Sequence, residues 1–232
     1  MTGPLISLPL TSWFYDPVSG KAVTKNDGLS ADTVQLGDGS TVASFPSLLG
    51  SGRRGMSFAN GTSWLDLGLT DRFERTDPFS LYLFSFGGPV SIDTVDQALS
   101  YQGIELFLNT NYIRARLTNT LNTNQCSKQT ANGSVDANAI ASVAMTYDGL
   151  SSAAGLNIYY NGVVLPSSVT VDNLNATIKN GKSMLACARH NGAGVTILGT
   201  GKMTAARVYP YALTPTEIRA LGDRDRALLN LF

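Results

Sequence analysis

Apolar and polar residues alternate with a period of two over much of the chain, and Gly, Asn, Asp and Pro cut the runs at intervals of about ten residues. The clearest stretch runs from Met145 to Pro166. Val143, Met145 and Tyr147 alternate with Ala144 and Thr146, the pattern of a half-buried strand, and Asp148-Gly149 follows as a turn. Leu156, Ile158 and Tyr160 share the next face, and Asn161-Gly162 before Val163 predicts a hairpin, because both residues tolerate the positive φ of a type I′ turn. FSLYLFSF at 79–86 is apolar on both faces and predicts a central strand. Residues 104–108 and 112–118, joined by Asn109-Thr110-Asn111, predict a second hairpin. In its second strand Ile113, Ala115 and Leu117 point one way while Tyr112, Arg114 and Arg116 point the other. Further strands are expected at 56–58, 64–67, 183–188 and 203–209.

Only the end reads as helix. Thr214-Pro215-Thr216-Glu217 has the form of a capping box, with Thr214 as N-cap and Pro215 at the first helical position. A helix is expected over 215–229, with Gly222 ending or loosening its first piece, Asp223 to Leu229 as a second short turn, and Ile218, Leu221 and Leu228 facing the sheets.

Length and charge narrow the class. A chain of 232 residues, 43% hydrophobic, fits one large all-β sandwich spanning 1–232. Lys plus Arg and Asp plus Glu both number 17, so no global field steers the protein toward nucleic acid or anionic membrane. No run reaches the roughly 20 apolar residues of a membrane helix. The first residues lack a basic n-region and are broken by Pro4 and Pro9, so no secretory signal is expected. Cys126 and Cys187 have no ligand-spaced neighbours, and Cys187, within MLACA, reads as a buried small hydrophobe; whether the two pair stays open.

The ordered segments FANGTSWLDLG, DPFSLYLF, GIELFLNTNYIRARLTN, VAMTYDG, LNIYYNGV and ARVYPYALTPTEIRAL, with YDPVSGKAV ahead of them, resemble the laminin-G-like branch of the concanavalin A-like lectin/glucanase superfamily. The resemblance implies a jelly-roll sandwich of two antiparallel sheets, one concave, closed at one edge by the terminal strands and a short C-terminal helix. Two places depart from the family pattern: Ile140, Ala141 and Ser142 stand where a Trp-His pair is common, and Thr204-Ala205 where acidic residues are common.

Candidate chemistry is sparse. Glycosidases of this superfamily need two carboxyl groups roughly 5 Å apart on one face. Glu105 lies on a strand, but its alternates Gly103 and Phe107 supply no second carboxyl, so it is expected to be a hydrogen-bonded or edge glutamate. No catalytic residue is assigned, and no enzyme activity is expected. His190, flanked by Arg189 and Asn191 in what reads as a loop, is the best polar cluster a lyase could use, although a hydrophilic connection is the better explanation. Calcium would draw on Asp93, Asp96, Asp136, Asp148 and Asp172, which are scattered through loops; no cofactor is assigned beyond such a structural ion. Glycan binding favours an exposed aromatic among amides and guanidiniums, and Tyr101, Asn109, Tyr112, Arg114, Arg116, Arg189, His190 and Asn191 are the candidates. Sequons at Asn60, Asn132 and Asn175 acquire meaning only with export.

For setting, the resemblance extends to modules of tailed-bacteriophage virions. It implies a non-enzymatic capsid decoration protein, made in the host cytoplasm and held on the head by the major capsid protein and by copies of itself, with cell-surface glycans as further partners. The alternative is a receptor-binding tail or fibre lectin, and after it a polysaccharide-degrading enzyme.

Overall fold

The computed structural model describes residues 64–228, Phe58, and, before them, the strands Ile6–Pro9, Trp13–Asp16, Lys21–Thr24, Val34–Leu36, Ser47–Leu48 and Met56–Ser57. These strands form a sandwich of two antiparallel sheets. One sheet runs Val163–Val164, Leu156–Tyr160, Ala141–Tyr147, Phe79–Phe86, Lys202–Tyr209, Met56–Ser57 and Ser47–Leu48, with Ile6–Pro9 also paired to Lys202–Tyr209. The other runs Ser167–Asp172, Asn124–Thr130, Ile113–Thr120, Gly103–Leu108, Val90–Asp93, Leu185–Ala186, Leu65–Asp66, Val34–Leu36, Lys21–Thr24 and Trp13–Asp16. We call them the eight- and ten-stranded sheets, counting the described strands.

The period-two pattern explains the core. Leu81, Leu83, Val143, Met145, Ile158 and Val208 of one sheet meet Ile92, Leu106, Ile113, Ala115, Leu117 and Cys126 of the other, all fully buried. Phe79–Phe86 is buried on both faces, as expected of a central strand, because the C-terminal helix Pro215–Leu228 covers its far side. Tyr82, Phe84, Ala144, Tyr159, Ala205 and Tyr209 pack there against Leu213 and Ile218. Under the helix Arg207 donates to both Asp225 oxygens at 2.5 and 2.6 Å, and Tyr82 Oη donates to Asp225 Oδ2 at 2.8 Å.

The turn chemistry holds in detail. Asn161 and Gly162 have φ of 51° and 75°. The capping box also forms: Glu217 N–H donates to Thr214 Oγ1 at 3.3 Å, and Thr214 N–H donates to Glu217 Oε2 at 2.7 Å. Leu221 packs beside Ile218 as expected, while the Leu228 side chain lies outside the described residues.

Three expectations need correction. Gly222 does not end the helix, which continues to Leu228. It serves a close approach instead: a Cβ there would stand 3.0 Å from Ser142 Oγ, the small residue in the departure from the family pattern. The expected strand over 183–188 is broken at Cys187, whose φ of 63° turns the chain, so that Leu185–Ala186 stays in the ten-stranded sheet and Ala188–Asn191 leaves it. Residues 189–191 are therefore not a loop but one strand of a hairpin with Gly194–Ile197. Strands Val90–Asp93, Asn124–Thr130 and Ser167–Asp172 add to those expected; their Ser, Asn and Gln content hid them. The sequon at Asn60 lies outside the described residues.

Candidate functional site

With the helix on the outer face of the eight-stranded sheet, the outer face of the ten-stranded sheet carries the polar chemistry. Residues directly opposite across a ladder share a face, and the register lines up two rows there. Asp66, Leu185, Asp93, Glu105, Arg116 and Ser127 form the first. Ser91, Phe107, Arg114, Gln129 and Ser168 form the second.

Glu105 is the hub of the first row. It is fully buried and accepts from Arg114 Nε at 2.5 Å, from Arg116 Nη2 at 2.8 Å and from Arg189 Nη2. Asp93, equally buried, accepts from Arg189 Nε and Nη2 at 3.0 and 2.8 Å. The second carboxyl that Gly103 and Phe107 could not supply thus comes from across the sheet, and Arg189 joins the pair. Burial would raise Glu105, but the guanidiniums of Arg116, Arg189 and Arg114 overcome it and hold the carboxyl below its ordinary value. Burial pushes Asp93 up to about 7, against the pull of Arg189 and with the help of the Glu105 charge. Arg116 is lowered by burial and by its cationic neighbours Arg114 and Arg189, with Glu105 opposing. Arg189 is raised, since Asp93 and Glu105 together outweigh its burial.

Backbone devices deliver the remote groups. The turn at Cys187, held by its N–H donating to Ser91 C=O at 3.0 Å, carries Arg189 over the sheet. Ser100 and Tyr101 both sit in the left-handed region, φ 54° and 63°, a conformation costly for a bulky residue. That turn lays the Tyr101 ring against Arg116 and Arg189, at 5.2 and 5.5 Å from its centroid. Asp96 ties the two devices together: its Oδ1 accepts from the Ala98 and Gly192 amides at 3.0 and 2.8 Å, and Lys182 Nζ lies 3.3 Å from its Oδ2.

The structure therefore gathers Tyr101, Arg114, Arg116 and Arg189 and disperses the other candidates. Asn109 Nδ2 donates to Tyr112 Oη at 2.9 Å at the hairpin turn. His190 alternates with Arg189 along its strand, and its Nε2 meets Ser183 C=O at 2.8 Å, in an open groove with Asp66, Thr70 and Gly192. Asn191 is exposed at the hairpin end. Phe107, Gln129 and Ser91 were missed, although the short turn at 109–111 fixes the pairing of Phe107 with Arg114 and of Glu105 with Arg116. Asp93 lies beyond a longer connection whose register no sequence signal sets.

Of the aspartates expected in loops, Asp93 and Asp172 instead end the strands Val90–Asp93 and Ser167–Asp172; Asp136 and Asp148 accept from backbone amides two residues on, and Asp172 accepts from Ala153 N–H and Ser152 Oγ. Cys126 and Cys187 are both free and buried, and burial pushes each thiol up to about 12.

A laminin-G-type family model described as the concanavalin A-like lectin/glucanases superfamily matches residues 83–219, the span that contains both rows apart from Asp66. The chain belongs to that superfamily. No curated protein matches the sequence. Among solved structures, this superfamily member is similar to the binding domain of botulinum neurotoxin DC in complex with rat synaptotagmin II (11% identity, TM-score 0.60), covering 96% of this chain and 51% of that one. It is also similar to the Ruminococcus gnavus IT-sialidase CBM40 bound to α2,3-sialyllactose (15% identity, TM-score 0.56), covering 72% of this chain and 96% of that one. A third similar structure is that of botulinum neurotoxin type C, whose cell entry depends on interaction with two ganglioside molecules (TM-score 0.57, 12% identity, 96% of this chain and 51% of that one). The chain spans about half the length of the toxin domains. At these identities the likeness establishes a lectin-like, concanavalin A-like fold.

Proposed function

We propose that this chain is a non-catalytic recognition module that binds glycans on the outer face of its ten-stranded sheet, along Phe107, Arg114 and Gln129. The observation that carries the reading is the second row. It sets a half-buried ring, a partly exposed guanidinium and an amide side by side on neighbouring strands, and Glu105 holds the guanidinium through its Nε. A ring packs on the apolar face of a sugar while amide and guanidinium donate to its hydroxyls. The sialyllactose and gangliosides named with the similar structures support this class of ligand.

The enzyme reading is weaker because the neighbouring carboxyls Asp93 and Glu105 have no exposed surface and their oxygens are engaged, those of Glu105 by guanidiniums and those of Asp93 by Arg189 and the Val95 amide. A glycan array tests the proposal. The protein is expected to retain a defined set of sugars, and Phe107→Ala with Gln129→Ala to lose them while keeping the far-UV spectrum. An unchanged array for the double variant would overturn it.

For setting we propose the surface of a tailed-phage virion, with the major capsid protein and copies of this chain as protein partners. Supporting it are the resemblance drawn from the sequence and the exposed valines Val163, Val164 and Val169 at one edge of the sandwich, which suit a protein contact. Immunogold labelling of purified particles is expected to decorate the head; unlabelled particles would remove this setting and leave glycan recognition standing.

A further inference from the structure

The strip along Phe107, Arg114 and Gln129 carries a charge imbalance that says which sugars it takes. Arg114, Arg116 and Arg189 surround two carboxyl groups, so the cluster holds one more cation than it can neutralise. The surplus is directional. Arg116 and Arg189 are buried, with side chains 5% and 6% exposed, whereas the Arg114 side chain is 27% exposed.

Arg114 is also held ready. Its Nε is committed to Glu105 and its guanidinium lies 5.6 Å from the Phe107 ring centroid, while Nη1 and Nη2 have no hydrogen-bond partner among the described residues. A planar fork fixed at one nitrogen and free at two others matches the geometry of a carboxylate better than that of a lone hydroxyl. Unsatisfied polar atoms border the same place. Ser91 Oγ, in the Phe107 row, is fully buried without a partner, and so are Arg116 Nε and Thr118 Oγ1 in the strand that carries Arg114. Buried polar atoms are seldom left unpaired, and these three lie on the same sheet face as Arg114, the guanidinium of the cluster most open to solvent.

We infer that the strip is an acidic-sugar site, in which Arg114 takes the carboxylate through its free Nη groups and Phe107 and Gln129 take the ring and hydroxyls. This rests on the glycan reading above. A sulfate ester would meet the same charge but, being tetrahedral, would not match the fork in the same plane. Neutral sugars would leave the surplus charge unanswered.

Isothermal titration with α2,3-sialyllactose, a uronic-acid oligosaccharide, a sulfated oligosaccharide and lactose separates the cases. One of the two carboxylated sugars is expected to bind about tenfold or more tighter than lactose and than the sulfated sugar, the difference a charge-assisted hydrogen bond makes. Arg114→Gln and Arg114→Lys are both expected to lose most of that advantage, since lysine keeps the charge without the fork. Equal binding of acidic and neutral sugars, a preference for sulfate, or an Arg114→Gln variant with its acid preference intact would overturn the inference and leave glycan recognition standing. Failure of every sugar to bind would overturn both.

Discussion

At the residue scale, Glu105 and Arg114 carry opposite loads. Glu105 is buried beneath three guanidiniums, and removing it leaves cations buried without a counter-charge, a loss of about 3–5 kcal/mol. Arg114 is partly solvated, so its removal should cost roughly 1 kcal/mol or less. Urea denaturation of Glu105→Ala and Arg114→Gln is expected to show that ordering; equal losses would mean that Glu105 is not the hub. Asp93 adds a pH signature. Its folded value, about 7, lies above the ordinary 3.8, so folding is favoured while it is protonated. That contribution is fully present below about pH 4 and is lost as pH rises toward 7. Glu105 is lowered, so its contribution is present above its ordinary 4.5 and is lost as pH falls through its folded value. The groups facing Asp93 are Arg189, Glu105 and Arg116, and the Arg189 charge in turn feels Tyr101. Asp93→Asn is therefore expected to flatten the fall in stability between pH 4 and 7. Melting temperatures across that window check it, and an unaltered slope would show that Asp93 stays ionised.

At the element scale, the sequence was most readable where local chemistry decides the structure. Asn161-Gly162 specified its hairpin, and Thr214 to Glu217 specified the helix start, because each needs only neighbouring residues. The face of Ile113–Thr120 was readable as well, since alternation alone separates Ile113, Ala115 and Leu117 from Arg114 and Arg116. What stayed hidden depends on packing. Gly222 reads as a helix stop until Ser142 is seen beneath it, and Cys187 reads as mid-strand until its left-handed turn sends Arg189 over the sheet. The Gly222–Ser142 contact gives a coupled prediction. Gly222→Ala should gain about 1 kcal/mol of helix propensity in open space, but here its methyl meets Ser142 Oγ at 3.0 Å and most of the gain is lost. Ser142→Ala removes an oxygen that has no partner, so a double-mutant cycle is expected to show favourable coupling of at least about 0.5 kcal/mol. Strict additivity would place the helix farther from the sheet than it stands here.

At the scale of the whole molecule, a chain of zero formal charge puts its surplus of guanidinium where one sheet face is left uncovered by the helix. The same two-layer architecture explains why fold and site were not equally legible. Alternation and turns make the sandwich visible, but the site is assembled from five separate strands and a strained turn, and only the Gly103–Leu108 to Ile113–Thr120 register could be counted from sequence. Because Arg114 faces solvent, binding of a charged sugar should weaken as salt rises from 0.05 to about 0.5 M, a range over which the screening length falls well below 10 Å.

The central claim is one of place: recognition occurs on the outer face of the ten-stranded sheet. Backbone amide NMR during titration with the tightest carboxylated sugar tests it most directly. The account predicts shifts confined to Ser91, Phe107, Arg114, Gln129 and their strand neighbours. Saturable shifts centred instead on Asp66, Ser183 and His190, in the groove beside the sheet, would contradict it.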